Sequence, residues 1–78
     1  MIEFNNGAVG RVIRRLRTEK GWSQDVLSGL TGIARSHLSM IETGKKQANF
    51  ETVWRIANAL EVTPHQLVFL IEQAAGEN

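Results

Sequence analysis

Apolar residues return along this chain at intervals of three and four nearly throughout, and no stretch alternates with the period of two that a half-buried strand shows. Val9, Val12, Ile13 and Leu16 set one apolar stripe on a first helix, about Ala8 to Lys20, with arginines on its outer side. Gly21 stops that helix. Ser23 then offers a hydroxyl to the free N–H groups of a second helix, QDVLSGLT, and Asp25 in its first turn suits the positive end of the helix dipole. This second helix is predicted to bury Leu27 and Leu30; it is short and weakened by Gly29, so tertiary packing must hold it. Gly32 permits a sharp turn into a third helix, ARSHLSMIET, closed by Gly44. Asn49 is the predicted cap of a fourth helix with Phe50, Val53, Ile56, Ala57 and Leu60 turned inward. The strongest start signal is TPHQL: Thr63 caps, Pro64 takes the first helical position, and Gln66 completes a capping box. The fifth helix, about Pro64 to Gln73, carries Leu67, Val68, Phe69, Leu70 and Ile71. Five consecutive apolar residues wrap right around a helix, so Val68 to Ile71 are expected to meet a second copy of the chain.

The expectation is an all-α fold of five helices in one domain over residues 1–78, with a core from about 8 to 73 and frayed ends. A chain of 78 residues buries only a modest share of its surface, so pairing with a second copy would help it.

The third helix raises a functional question. Ala34, Leu38 and Ile41 fall on one side; Arg35, Ser36, Ser39, Met40 and Thr43 fall on the other, and Lys45 and Lys46 follow at once. A short helix, a glycine turn and a second helix with such an outer side make the pattern of a helix-turn-helix. The inner side must lock the helix to its scaffold. The outer side must enter a DNA major groove roughly 12 Å wide and meet base edges, which calls for short polar residues and an arginine. Lysines just beyond the helix can reach phosphates.

Composition sharpens this picture in two ways. The formal net charge is only +1, yet it is polarised. From Val9 to Ala48 there are eight basic residues (Arg11, Arg14, Arg15, Arg17, Lys20, Arg35, Lys45, Lys46) against three acids, whereas from Asn49 onward Arg55 stands against Glu51, Glu61, Glu72 and Glu77. A basic N-terminal part is what an anionic partner would meet. The chain also contains no cysteine, which removes disulfides and thiolate metal sites. The opening MIEFNNGAVG lacks the apolar core of a signal peptide, and no run approaches the roughly 20 apolar residues of a membrane span, so a cytoplasmic protein is expected.

The motifs VGRVIRRLR, KGWSQ, GIARSHLSMIETGKK and RIANALEV, taken together over Val9 to Leu67, resemble the lambda-repressor-like, or Xre-type, family of DNA-binding domains. The resemblance implies a five-helix domain that binds a nearly palindromic operator as a homodimer. Among family members the chain most resembles short stand-alone regulators, including the controller proteins of restriction–modification systems. It places Arg35 and Ser36, with Ser39 and Met40, as base readers; Met40 can pack on a thymine methyl or simply stand in solvent. Gln24, His37, Thr43, Lys45, Lys46 and Asn49 are implied as contacts to the DNA backbone. Arg17 and Glu42 are implied as an internal ion pair tying the first helix to the third. Trp22 and Trp54 are read as packing residues, and Arg11, Arg14 and Arg15 as solvated side chains.

Three positions depart from the family pattern. Ala34 stands where a capping Ser, Thr or Asp is usual, Ala48 replaces a frequent proline, and Glu61 replaces a frequent glycine. An enzyme is not expected, because no Ser/His/Asp constellation and no phosphate-binding glycine loop is present, and His37 and His65 are isolated. No cofactor, metal or small-molecule ligand is implied. The competing function is a protein-binding module on the same scaffold, such as an antitoxin; that reading would want aromatic and branched apolar residues on the outer side of the third helix.

Overall fold

A computed structural model describes residues 2–77. Five helices follow in order: α1 (Asn6–Glu19), α2 (Gln24–Thr31), α3 (Arg35–Glu42), α4 (Phe50–Ala59) and α5 (Pro64–Ala75), with no strand among the described residues. The connections are short, and the five helices close on one another as a ring. α1 packs against α3 and α5, while α2 packs against α3 and α4, and α4 against α5. The core is one cluster drawn from every helix: Val12 and Ile13, Leu27, Leu38 and Ile41, Ile56 and Leu60, and Leu67 are essentially solvent-free.

The caps explain where the helices begin. Ser23, Asn49 and Thr63 each accept a backbone N–H of the following first turn, from Val26, Thr52 and Gln66. At Thr63 the box is reciprocal, with Gln66 Oε1 accepting from the Thr63 N–H at 2.9 Å. Asn5 caps α1, so that helix starts two residues before the predicted Ala8. At the far end α5 runs to Ala75, and Gly76 follows as its cap, so the helix outlasts the predicted Gln73. Ala34, at the start of α3, makes no capping hydrogen bond.

Gly10 sits where two helices nearly touch. A Cβ there would run into the carbonyl oxygens of Glu42 and of Ile41, the latter at 2.5 Å. Only a residue without a side chain lets α1 approach the end of α3 so closely.

Two side chains predicted to be inward, Leu30 and Phe50, are not, and Trp54, read as a packing residue, is half exposed. Leu30 is 57% exposed, because the buried stripe of α2 runs through Leu27 and Thr31, one turn apart, and leaves Leu30 to the side. Phe50 is 70% exposed and Trp54 50%. Phe50 has the right spacing to face inward, but it occupies the first position of α4, at the rim of the domain, on an open groove beside α5 that does not cover it. Its ring instead meets Trp54 edge-on, with centroids 6.1 Å apart. Trp22, by contrast, packs on the core, and Lys20 Nζ stands 5.1 Å from its ring centroid.

Glu61 has φ 63°, a left-handed conformation that a glycine would take without strain. Its carboxylate accepts from Lys20 Nζ at 2.8 Å, and that hydrogen bond holds the Glu61 carboxyl below the ordinary glutamate range. A carboxyl shifted this way helps the fold above the ordinary glutamate pKa, and the help fades as pH falls through the lowered value. Both ends of the pair reach solvent, so it offsets less than the backbone costs. Glu61→Gly is expected to raise the thermal midpoint by a few degrees, read by circular dichroism at neutral pH; a fall would show that the Lys20 contact outweighs the strain.

Candidate nucleic-acid interface

The network beneath α3 is built from three helices. Arg17 of α1 donates from Nε to Glu42 Oε2 at 2.8 Å and from Nη2 to Glu42 Oε1 at 2.9 Å. Its third arm, Nη1, donates to the Trp22 carbonyl at 2.7 Å. Gln24 of α2 adds a bond from Nε2 to Glu42 Oε1 at 3.1 Å. Arg17 and Glu42 are both buried, and no buried side-chain nitrogen or oxygen among the described residues lacks a partner. The Glu42 hydrogen bonds keep the Arg17 guanidinium above its ordinary pKa although burial works against the charge. A forked, two-point contact of this kind fixes angle as well as distance. It therefore sets the tilt of α3 on the body of the domain.

With Leu38, Ile41 and Glu42 buried, the opposite side of α3 faces out. Arg35, Ser36 and Met40 are exposed, Ser39 and His37 are half-buried, and Thr43 is exposed just past the helix. The Thr43 hydroxyl donates back to the Ser39 carbonyl at 3.0 Å, so it is free only as an acceptor until it rotates. Lys45 and Lys46 are held over the end of α3 by backbone bonds from both N–H groups to the Met40 carbonyl, at 2.9 and 3.2 Å. No carboxylate among the described residues lies within salt-bridge distance of either lysine. The side chain of Asn49 accepts from Thr52 N–H at 2.8 Å, which leaves its amide N–H groups available. Glu51 stands in that same first turn, paired with Arg55, and opposes an anion there.

Together these residues form one cationic, polar surface: a helix side carrying an arginine and two serines, bordered by two lysines and an amide. It can donate hydrogen bonds to acceptors spaced along a groove. The described residues hold no group of three His, Cys, Asp or Glu that could take a metal ion, and no helix is long and apolar enough to cross a membrane.

The four apolar residues assigned to self-association divide. Val68 and Phe69 are about half exposed, whereas Leu70 and Ile71 pack against the core. Val68 and Phe69 share an open groove with Phe50, Trp54 and Pro64. Phe50 and Trp54 are thus part of this apolar surface and were missed by sequence reasoning, which sent Phe50 into the core. Their i, i+4 spacing marks them as neighbours on one helix side but does not say whether that side is covered. Asp25 was also missed as a neighbour of the outer surface: its Oδ1 lies 3.4 Å from Arg35 Nε.

Comparison with known proteins gives consistent matches. The model of the Helix-turn-helix family matches residues 13–67. An uncharacterized HTH-type transcriptional regulator, y4dJ of Sinorhizobium fredii, is 35% identical over 60 residues, 77% of this chain and 78% of the relative. The restriction-modification controller protein C.AhdI from Aeromonas hydrophila is 34% identical, with a TM-score of 0.77 over 80% of this chain and 94% of that one. The controller protein C.Esp1396I, seen as a tetramer in complex with its natural 35 base-pair operator, is 25% identical, with a TM-score of 0.84 over 94% of this chain and 96% of that one.

Proposed function

Because the chain belongs to the helix-turn-helix family of transcriptional regulators, we propose that it binds double-stranded DNA sequence-specifically, as a homodimer, with α3 in the major groove. The observation that carries this reading is the two-sided α3: its inner side is fixed by Leu38, Ile41 and the Arg17–Glu42 fork, and its outer side is polar and cationic. Arg35, Ser36, Ser39 and Met40 are the proposed base readers. Lys45, Lys46, Asn49, Gln24, His37 and Thr43 are the proposed backbone contacts, with Gln24 also bracing Glu42. No catalytic role is assigned to any residue, and the DNA partner implies a cytoplasmic site of action. Likeness to two restriction-modification controller proteins supports a controller role of that kind.

The proposed dimer uses Val68 and Phe69 together with Phe50 and Trp54, while Leu70 and Ile71 pack against the core. A twofold pair would set two α3 helices about 34 Å apart, one turn of duplex. An aromatic outer side on α3 would have favoured a protein partner instead, and α3 has none.

Selection from random duplexes at near-physiological salt tests the reading. The expected pool carries a two-armed motif with half-sites about one helical turn apart. A pool without enrichment would turn the scaffold toward a protein partner. On the selected duplex, Arg35→Ala is expected to cost about 1–3 kcal/mol and to relax preference at one base position. Lys46→Ala should weaken selected and random duplexes alike and reduce the salt slope by about 1. Equal losses on both duplexes for Arg35→Ala would remove Arg35 from the base readers.

A further inference from the structure

The first residue of α3 meets an acid from the neighbouring helix. Arg35 Nε lies 3.4 Å from Asp25 Oδ1, and both side chains are largely exposed. Glu42, the acid within α3 itself, is buried and committed to Arg17 and Gln24. Asp25 is therefore the carboxylate that stands at the outward surface beside the proposed base readers. Its place is set by rigid structure: it lies in the first turn of α2, directly after Ser23, which caps that helix, and Gln24, whose amide is tied to Glu42.

We propose that Asp25 is a positioning residue for sequence discrimination: it engages Arg35 through Nε and leaves the Nη1 and Nη2 edge to meet a guanine in the major groove. The proposal rests on reading Arg35 as a base reader. At 3.4 Å the contact is an ion pair rather than a hydrogen bond; a guanidinium is a rigid planar fork, so a carboxylate drawn to Nε favours orientations in which the Nη groups point away from Asp25. Guanine O6 and N7 accept two parallel hydrogen bonds from such an edge. In the free domain the exposed pair adds little to stability. Its effect appears on DNA. At a matching position Arg35 is satisfied along both edges. At a mismatched one it remains with Asp25 rather than turning to the nearest phosphate, and the carboxylate itself repels the backbone. Discrimination then comes from weakening wrong complexes as well as from strengthening the right one.

Affinities of wild type, D25N, R35A and the double variant are to be measured on the selected duplex and on a shuffled duplex of equal length. D25N is expected to bind the shuffled duplex about three- to fivefold more tightly, the effect of removing one surface charge near phosphates. The ratio of selected to shuffled affinity should fall by at least that factor. In the R35A background the same substitution should move the ratio by less than about twofold, because the two residues act as one unit. D25E, which keeps the carboxylate, should restore most of the ratio; this control also separates the effect from any weakening of α2. An equal gain on both duplexes, or an equal ratio change in both backgrounds, would overturn the assignment and leave Asp25 as a bulk charge. If R35A alone leaves the ratio intact, the base-reading role of Arg35 fails first, and the role of Asp25 falls with it.

Discussion

Gly10→Ala and Gly29→Ala, the same substitution in two helices, are expected to move stability in opposite directions. In a helix interior alanine is favoured over glycine by about 1 kcal/mol. At Gly29, in α2, an added Cβ meets nothing within 4 Å, so the propensity gain should appear nearly whole. At Gly10 the same atom would press on the backbone carbonyls of Ile41 and Glu42. Backbone cannot swing aside as a side-chain tip can, so α1 must back away from α3. Overpacking of this kind costs about 1–3 kcal/mol and sometimes more, and here it also loosens the fork beneath α3. For a domain whose whole stability is on the order of 4–12 kcal/mol, Gly10→Ala should lower the thermal midpoint sharply, and Gly10→Val should leave the chain largely unfolded at 37 °C. Urea melts followed by circular dichroism check both signs. A stabilised Gly10→Ala would mean that α1 and α3 stand farther apart than the structure places them.

The second large effect concerns Glu42. Glu42→Ala strands the buried guanidinium of Arg17 and removes the partner of Gln24, so a loss of roughly 3–5 kcal/mol is expected. Replacing both members of the pair, Arg17→Met with Glu42→Leu, should cost far less, because two matched apolar residues need no counter-charge. The double variant then isolates function from stability. If the fork serves to aim α3, a folded double variant should still bind the selected duplex at least tenfold more weakly than wild type, since a small displacement of α3 misplaces every base contact. Wild-type binding by the folded double variant would confine the pair to stability alone.

Much of this architecture was legible because helix signals are local. Ser23, Asn49, and Thr63 with Pro64 mark their helices through chemistry contained within four residues. The spacing of Val12, Ile13, Leu38, Ile41, Ile56 and Leu60 marks the inward side without reference to anything distant. The inner and outer sides of α3 were separable for the same reason. What failed was everything decided at the rim. Phe50 and Leu30 fit an inward spacing, but whether an element lies opposite them depends on where α4 and α2 end up, and periodicity carries no such information. The cost of a side chain at Gly10 is likewise a property of two helices 31 positions apart, not of one. Pairs such as Asp25 with Arg35 belong to this class too: each residue had a sufficient local explanation, a helix dipole for one and a base contact for the other, and only the turn between α2 and α3 brings them together.

The two-sided construction of α3 also bears on how such a protein can change over generations. Residues that fix the helix (Leu38, Ile41, Glu42) and residues proposed to read DNA (Arg35, Ser36, Ser39, Met40) scarcely overlap. Substitutions at exposed positions usually shift stability by less than about 0.5 kcal/mol, so the exposed members of the reading set, Arg35, Ser36 and Met40, can be rewritten with little effect on folding. Sister copies sharing one scaffold could diverge to separate addresses in the same cell, each deaf to the other's sites.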